Sequence, residues 1–120
     1  MRAVSLIFLF VLSPVLADVP DSQKPEVEHL LKFVKESACE MDRNGSRHPG
    51  PKAYQHIAQK YDYSRNKIRS TEEFIAYSAS KSTTSNHDYL AVCPGQTTVK
   101  TQDWLLAELK RFRTKNSAAK

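Results

Sequence analysis

Two cysteines, Cys39 and Cys93, stand behind a leader-like opening, and this pairing constrains the fold more than any other feature of the chain. Met1 and Arg2 give a short positive start. Ala3 to Leu12 is apolar apart from Ser5, Pro14 breaks the run, and Val15-Leu16-Ala17 offers a cleavage site. The sequence therefore predicts a signal peptide over residues 1–17 and a mature chain beginning at Asp18. Such a chain matures where thiols oxidise, so Cys39 and Cys93 are expected to bond. Two cysteines allow a single intramolecular pairing. The bridge closes a loop of about 55 residues and is worth roughly 4 kcal/mol in the chain-entropy account.

A mature chain of this size makes one small domain with a modest core. The expected division is a polar lead-in at 18–25, a compact domain at 26–113 and a basic disordered tail at 114–120. The apolar run near the N-terminus is too short to span a bilayer, and no second run follows. Loss of Arg2 with the leader lowers the net charge from +5 to +4. The excess gathers at Lys110, Arg111, Arg113, Lys115 and Lys120, where cations also suit the end of a helix. Aromatic residues do not interleave with these cations, so a nucleic-acid stacking surface is not expected.

Pro25 fits a first helical turn, with Glu26 and Glu28 where acids favour the start. Val27, Leu30, Leu31, Val34 and Ala38 fall on one face, and this helix should end near Ser37 or Ala38. Cys39 to Arg43 has weak strand alternation and is closed by the turn pair Asn44-Gly45. Ser46 to Pro51 reads as a loop. A second helix follows from about Pro51 to Asn66, with Ala53, Tyr54, Ile57, Ala58 and Tyr61 at helical spacing. Ser70-Thr71-Glu72-Glu73 is a capping box for a third helix that carries Phe74, Ile75, Ser78 and Ala79 inward. The stretch Ser80–Asn86 is too hydroxyl-rich to bury. Tyr89 to Cys93 reads as a second strand, stopped by Pro94-Gly95. Thr101 can cap a last helix with Trp104, Leu105, Leu109 and Phe112.

The expected fold is α+β and mainly helical: four helices and a small two-stranded antiparallel ribbon in the order α-β-α-α-β-α. Bonding Cys39 to Cys93 sets Met41 opposite Ala91 and Arg43 opposite Tyr89, since antiparallel neighbours lie within disulfide reach. Leu30, Leu31, Val34, Ile57, Phe74, Ile75, Trp104, Leu105 and Leu109 are the expected core.

Several pieces, in this order, resemble a family of secreted bacterial proteins of unknown function, the YfeK-like family. They are Arg43-Asn44-Gly45; Ala53 with His56 and Lys60; Ser70-Thr71-Glu72 with Phe74-Ile75; Ala79-Ser80 with Ser82 and Ser85; and Tyr89 before Pro94-Gly95. The likeness runs from about residue 26 to 110. Asn86 stands where the family has glycine, and a left-handed turn accepts both. The resemblance implies a periplasmic or secreted location and no particular reaction. Asn44-Gly45-Ser46 is formally a glycosylation acceptor. In a bacterial family it reads as a tight turn.

Motifs for catalysis are weak. Ser64-Arg65-Asn66-Lys67, Ser78-Ala79-Ser80-Lys81 and Ser117-Ala118-Ala119-Lys120 all match S-x-x-K, so composition produces the pattern, and its companion motifs are missing. His29, His48, His56 and His87 read as surface histidines. No short pair spacing announces a metal site, and no metal or cofactor is expected. What remains is a polar cluster. Arg43 offers a planar fork for a carboxylate or phosphate. Asn44, Ser80, Ser82, Ser85 and Tyr89 supply hydrogen bonds, and His56 and Lys60 join them from one turn of the second helix. The expected function is a non-catalytic binding or interaction module whose partner is an anionic envelope component or another periplasmic protein. The alternative is a small periplasmic hydrolase or metal-dependent enzyme using His56 and the Ser80–Ser85 loop.

Overall fold

A computed structural model describes residues 18–118. The expected signal peptide, 1–17, and the last two residues lie outside the described residues. Asp21–Gln23 makes a 3-10 turn that leads into α1 (Lys24–Glu36), with Pro25 in its first turn and Val27, Leu30 and Val34 buried. Ser37 adopts an extended conformation and ends the helix.

Strands β1 (Glu40–Arg43) and β2 (Ser46–Pro49) form a hairpin around Asn44 and Gly45. Both turn residues have positive φ, 53° and 85°, as a two-residue hairpin turn requires. This corrects the expected loop at 46–51. Ser-Arg-His-Pro has no apolar alternation, because β2 is a nearly exposed edge strand. Its pairing is imposed by the turn and not by burial. Pro49 lacks an N–H and so blunts that edge.

Helix α2 (Gly50–Ser64) follows at once, burying Ala53, Ile57 and Tyr61 at intervals of one turn. A 3-10 turn at Arg65–Lys67 brings Ile68, fully buried, into the core. Helix α3 is Thr71–Ser78. Ser70 Oγ accepts the Glu73 N–H at 3.0 Å, so the serine half of the capping box forms, while the Glu73 carboxylate faces Arg69 at 3.7 Å. Strands β3 (Leu90–Val92) and β4 (Val99–Lys100) come next, and β4 runs directly into α4 (Thr101–Ala118).

The sheet therefore has four antiparallel strands in the order β2-β1-β3-β4, not the two expected. The central register is Met41 with Ala91, as the disulfide argument requires. Cys39 and Cys93 are bonded, with Cα atoms 4.1 Å apart. Helix α2 lies on β1 and β2, α4 lies on β3 and β4, α1 joins α2 to α4, and α3 packs against all three. Leu30, Val34, Ile57, Phe74, Ile75, Leu105 and Leu109 are buried as expected, whereas Leu31 and Trp104 are only partly so. Residues 114–118 are helical, not a disordered tail, because α4 continues through them.

Two polar ties fasten the helices. Arg113 on α4 reaches Glu26 on α1 at 2.7 and 3.0 Å and Glu72 on α3 at 2.9 and 3.2 Å. Hydrogen bonds from Arg113 are the main reason both carboxyl groups sit below their usual range. In the second, Asp18 accepts from Tyr61 Oη at 2.5 Å, Arg65 Nη1 at 3.0 Å and the Val19 N–H at 2.7 Å. Burial pushes Asp18 up, but these donors outweigh it and hold the carboxyl below its ordinary value. Burial, and then the bond to Asp18, push the Tyr61 phenol up to about 12. Val19 is buried in the core, so the expected polar lead-in is part of the packed structure.

Candidate functional site

Lys52, His56 and Lys60 lie one turn apart along α2, beside the buried stripe of Ala53, Ile57 and Tyr61. The sheet supplies two more basic groups to the same border. Arg43 is two residues beyond buried Met41 and shares its face. His48 pairs with Met41 across the hairpin. The fold thus gathers Arg43, His48, Lys52, His56 and Lys60 where α2 crosses the hairpin.

The contacts within this group are specific. Arg43 Nη1 lies against the His56 ring, 3.1 Å from Nδ1, and also contacts Nε2. The His48 ring is 5.5 Å from that of His56, edge to face. Buried Tyr89 lies beneath the group: the Arg43 guanidinium is 5.8 Å and the Lys60 ammonium 4.9 Å from its ring centroid. Lys60 also donates to Tyr89 Oη at 3.0 Å and to the Lys81 carbonyl at 2.6 Å. Burial is the largest influence on His56 and the surrounding cations are the next, Arg43 first and then His48, Lys52 and Lys60; all of them hold the imidazole below its ordinary pKa.

No carboxylate forms an ion pair with Arg43, Lys52 or Lys60 among the described residues. Arg43 Nε is buried without an acceptor. Several cations elsewhere are paired: Arg65 with Asp18 and Asp62, Arg111 with Glu108, and Arg113 with Glu26 and Glu72. What distinguishes the border is that its unpaired cations gather around one imidazole.

The expected cluster is only partly assembled. Arg43, His56, Lys60 and Tyr89 meet. Asn44 sits at the exposed hairpin tip, where its Oδ1 accepts from Ser85 Oγ at 2.8 Å. Ser80 Oγ is buried and donates to the Ile75 carbonyl at 2.8 Å, closing the end of α3. Ser82 Oγ bonds Thr84 Oγ1 at 3.1 Å and accepts the Ser85 N–H at 3.4 Å. These hydroxyls hold their own loop, which turns at Asn86 with φ 60°. His48 and Lys52 join the site without having been expected. Lys52 is marked only by its four-residue spacing from His56, and His48 only by the hairpin register.

Two clefts lie elsewhere. One, of about 640 Å³, borders the disulfide and is lined by Phe33, Val99 and Trp104 with Glu36, Asp103 and Arg111. The other, of about 620 Å³, lies beside Asp42, Asn44, Ser85 and Asp88. Neither gathers cations: their linings are mixed or acidic, with Arg111 held by Glu108 and Asp88 by Lys100. The α2 border is preferred as the site because its like charges are assembled at a cost that no internal partner offsets. Among the described residues, no three His, Cys, Asp or Glu side chains converge to hold a metal ion, and no helix is long and apolar enough to cross a membrane.

No curated protein and no solved structure matches the chain. The matched stretch, residues 21–113, spans α1 to Arg113 and takes in every residue of the basic border, and by that match the chain belongs to the family of unknown function DUF5329.

Proposed function

We propose that this chain is a small exported domain that binds an anionic group without catalysis, through Arg43, His56 and Lys60 on a platform of Tyr89. One observation carries the reading. Three cations and two imidazoles border one another with no carboxylate between them. An oxyanion would offset that repulsion, and the planar Arg43 fork and the remaining Lys60 proton are donors suited to it. The leader-like residues 1–17, the resemblance to YfeK-like secreted proteins and the Cys39–Cys93 bond support an oxidising, extracytoplasmic location. There the ligand is an anionic envelope component or an acidic face of another protein.

The rival reading, a hydrolase using His56 and the serine loop, has less support. The His56 nitrogens face a guanidinium, and Ser80, Ser82 and Ser85 spend their hydroxyls on the loop and hairpin. A general base must face the proton it removes.

Titration with sodium sulfate at constant ionic strength, followed by amide and side-chain resonances, tests the proposal. Shifts should centre on Arg43, His56 and Lys60, and Arg43→Ala should weaken binding about tenfold, the scale of one lost charge-assisted hydrogen bond. Equal binding by Arg43→Ala, or shifts scattered over the surface, would overturn it.

A further inference from the structure

The outer face of α4 carries charges that change sign along its length. Asp103, Ala107, Lys110, Arg111 and Thr114 are all exposed and fall within about 100° of arc on the helix. Ala107, the smallest of them, stands in the middle. Asp103 lies one turn before it, and Lys110 and Arg111 lie one turn after it. Within the arc, Asp103 and Lys110 share one flank. Arg111 takes the other, with half-buried Trp104.

That second flank opens into the cleft of about 640 Å³ beside the disulfide. Phe33 and Trp104, with ring centroids 4.7 Å apart, and Val99, 40 % exposed, give it an apolar wall. Glu36 and Asp103 line it as well, both exposed, and neither forms an ion pair among the described residues. Arg111 lines it too. One oxygen of Glu108 takes its Nε and Nη2, each at 2.8 Å. A guanidinium has five protons to donate, and this one is 63 % exposed, so Glu108 positions Arg111 without exhausting it.

A face with acid at one end and bases at the other complements itself when a second copy is turned end for end. With the two-fold axis at Ala107, each residue before it meets the residue equally far after it on the other copy. Asp103 then lies within about 2 Å, along the axis, of Lys110 of the second copy, on the same flank. Trp104 lies as close to the level of Arg111 of the second copy, on the opposite flank. Ala107 meets its own counterpart, and so small a side chain lets two helices approach to about 8 Å.

We propose that this face of α4 is the contact of a symmetric dimer. Each copy sets Lys110 against Asp103 of the other and seats Arg111 in the other's aromatic cleft, toward Glu36. The stem of Arg111 covers Phe33 and Trp104, and its guanidinium meets their rings and the carboxylate. A second copy is the occupant because one chain holds both halves of each contact, in reversed order. The inference is independent of the anion-binding reading, and no residue of the α2 border takes part.

Sedimentation equilibrium of the disulfide-bonded protein at low salt, from about 10 μM to 1 mM, reads the association. The mass should climb from one chain to two, and added salt should weaken the rise. Trp104 is the sole tryptophan of the chain, so emission from the unmodified protein should move to the blue as the mass rises. Asp103→Lys and Lys110→Glu each bring like charges together twice across the axis. Each should weaken association at least about tenfold. Mixed in equal amounts, the two variants oppose unlike charges at both places and should associate as the parent does. A misfolded chain would not be rescued in this way.

A parent that stays monomeric throughout overturns the dimer. If its Trp104 emission then shifts on adding a lysine-rich peptide, the cleft belongs to a basic partner instead. A dimer that persists in both variants, or that forms with Trp104 emission unmoved, overturns the choice of face. Variants that weaken association and do not recover on mixing overturn the pairing of Asp103 with Lys110. Where a variant unfolds, the mass and emission of the parent decide.

Discussion

Replacing Gly50 by alanine should be the most damaging small substitution in the fold. Gly50 opens α2 and sits against the end of α1. A Cβ there would lie 2.6 Å from the Val34 carbonyl oxygen, 2.7 Å from that of Lys35 and 3.0 Å from that of Ser37. All three are backbone atoms, so no side chain can swing aside. Relief requires α2 to move away from α1. Overpacking of this kind costs about 1–3 kcal/mol, and three backbone contacts place this case at the upper end. Alanine recovers about 0.5–1 kcal/mol by restricting the unfolded chain. The net expectation is a loss of about 2 kcal/mol, or a fall in Tm of roughly 8–16 °C for a domain near 100 residues. Gly95→Ala is the control. Its φ is 69° but nothing lies within 4 Å of the added carbon, so it tests backbone strain without a clash. Strain of about 1–2 kcal/mol, less the same unfolded-state gain, gives a loss of about 1 kcal/mol. Urea unfolding of both variants measures the difference. If Gly50→Ala proves as stable as the parent, or costs less than Gly95→Ala, the close seating of α2 on α1 is wrong. The placement of the basic border, which α2 carries, would then be wrong with it.

Two further outcomes follow from the ties. Arg113→Gln should lower stability at neutral pH by about 1 kcal/mol, discounted because the guanidinium is 42 % exposed. Glu26 and Glu72 have folded pKa values below 4.5, so their contribution is full above that pH and is lost as pH falls through the lowered values. The variant should therefore lose less stability than the parent between about pH 5 and pH 3, as denaturant titrations at each pH would show. Separately, the intact mass of the exported product should correspond to a chain starting at Asp18 with no thiol that alkylates before reduction. A retained Met1 or free thiols would refute the export reading.

The helices were legible because their buried residues recur at one-turn intervals, as Val27, Leu30 and Val34 do in α1 and Ala53, Ile57 and Tyr61 in α2. The register of Met41 with Ala91 was legible from the two cysteines alone. The edge strands were not. Ser46–Pro49 and Val99–Lys100 are mostly exposed, so selection for burial leaves no alternation to read. Ile68 escaped because a lone apolar residue after a 3-10 turn has no period. At the site, the approach of Arg43 to Tyr89 followed from the strand register. The serines misled because Ser80 and Ser82, polar by type, are buried and bonded within their own segment. Sequence shows that a hydroxyl is present; only the folded loop shows where its hydrogen bond goes.

The clasp at Asp18 bears on where this molecule can be trimmed. The matched family span starts at residue 21, yet the working edge of the fold lies ahead of it. A version cut back to that span would strand the Tyr61 phenol and leave Arg65 holding only Asp62. It would also leave a void where Val19 had been seated.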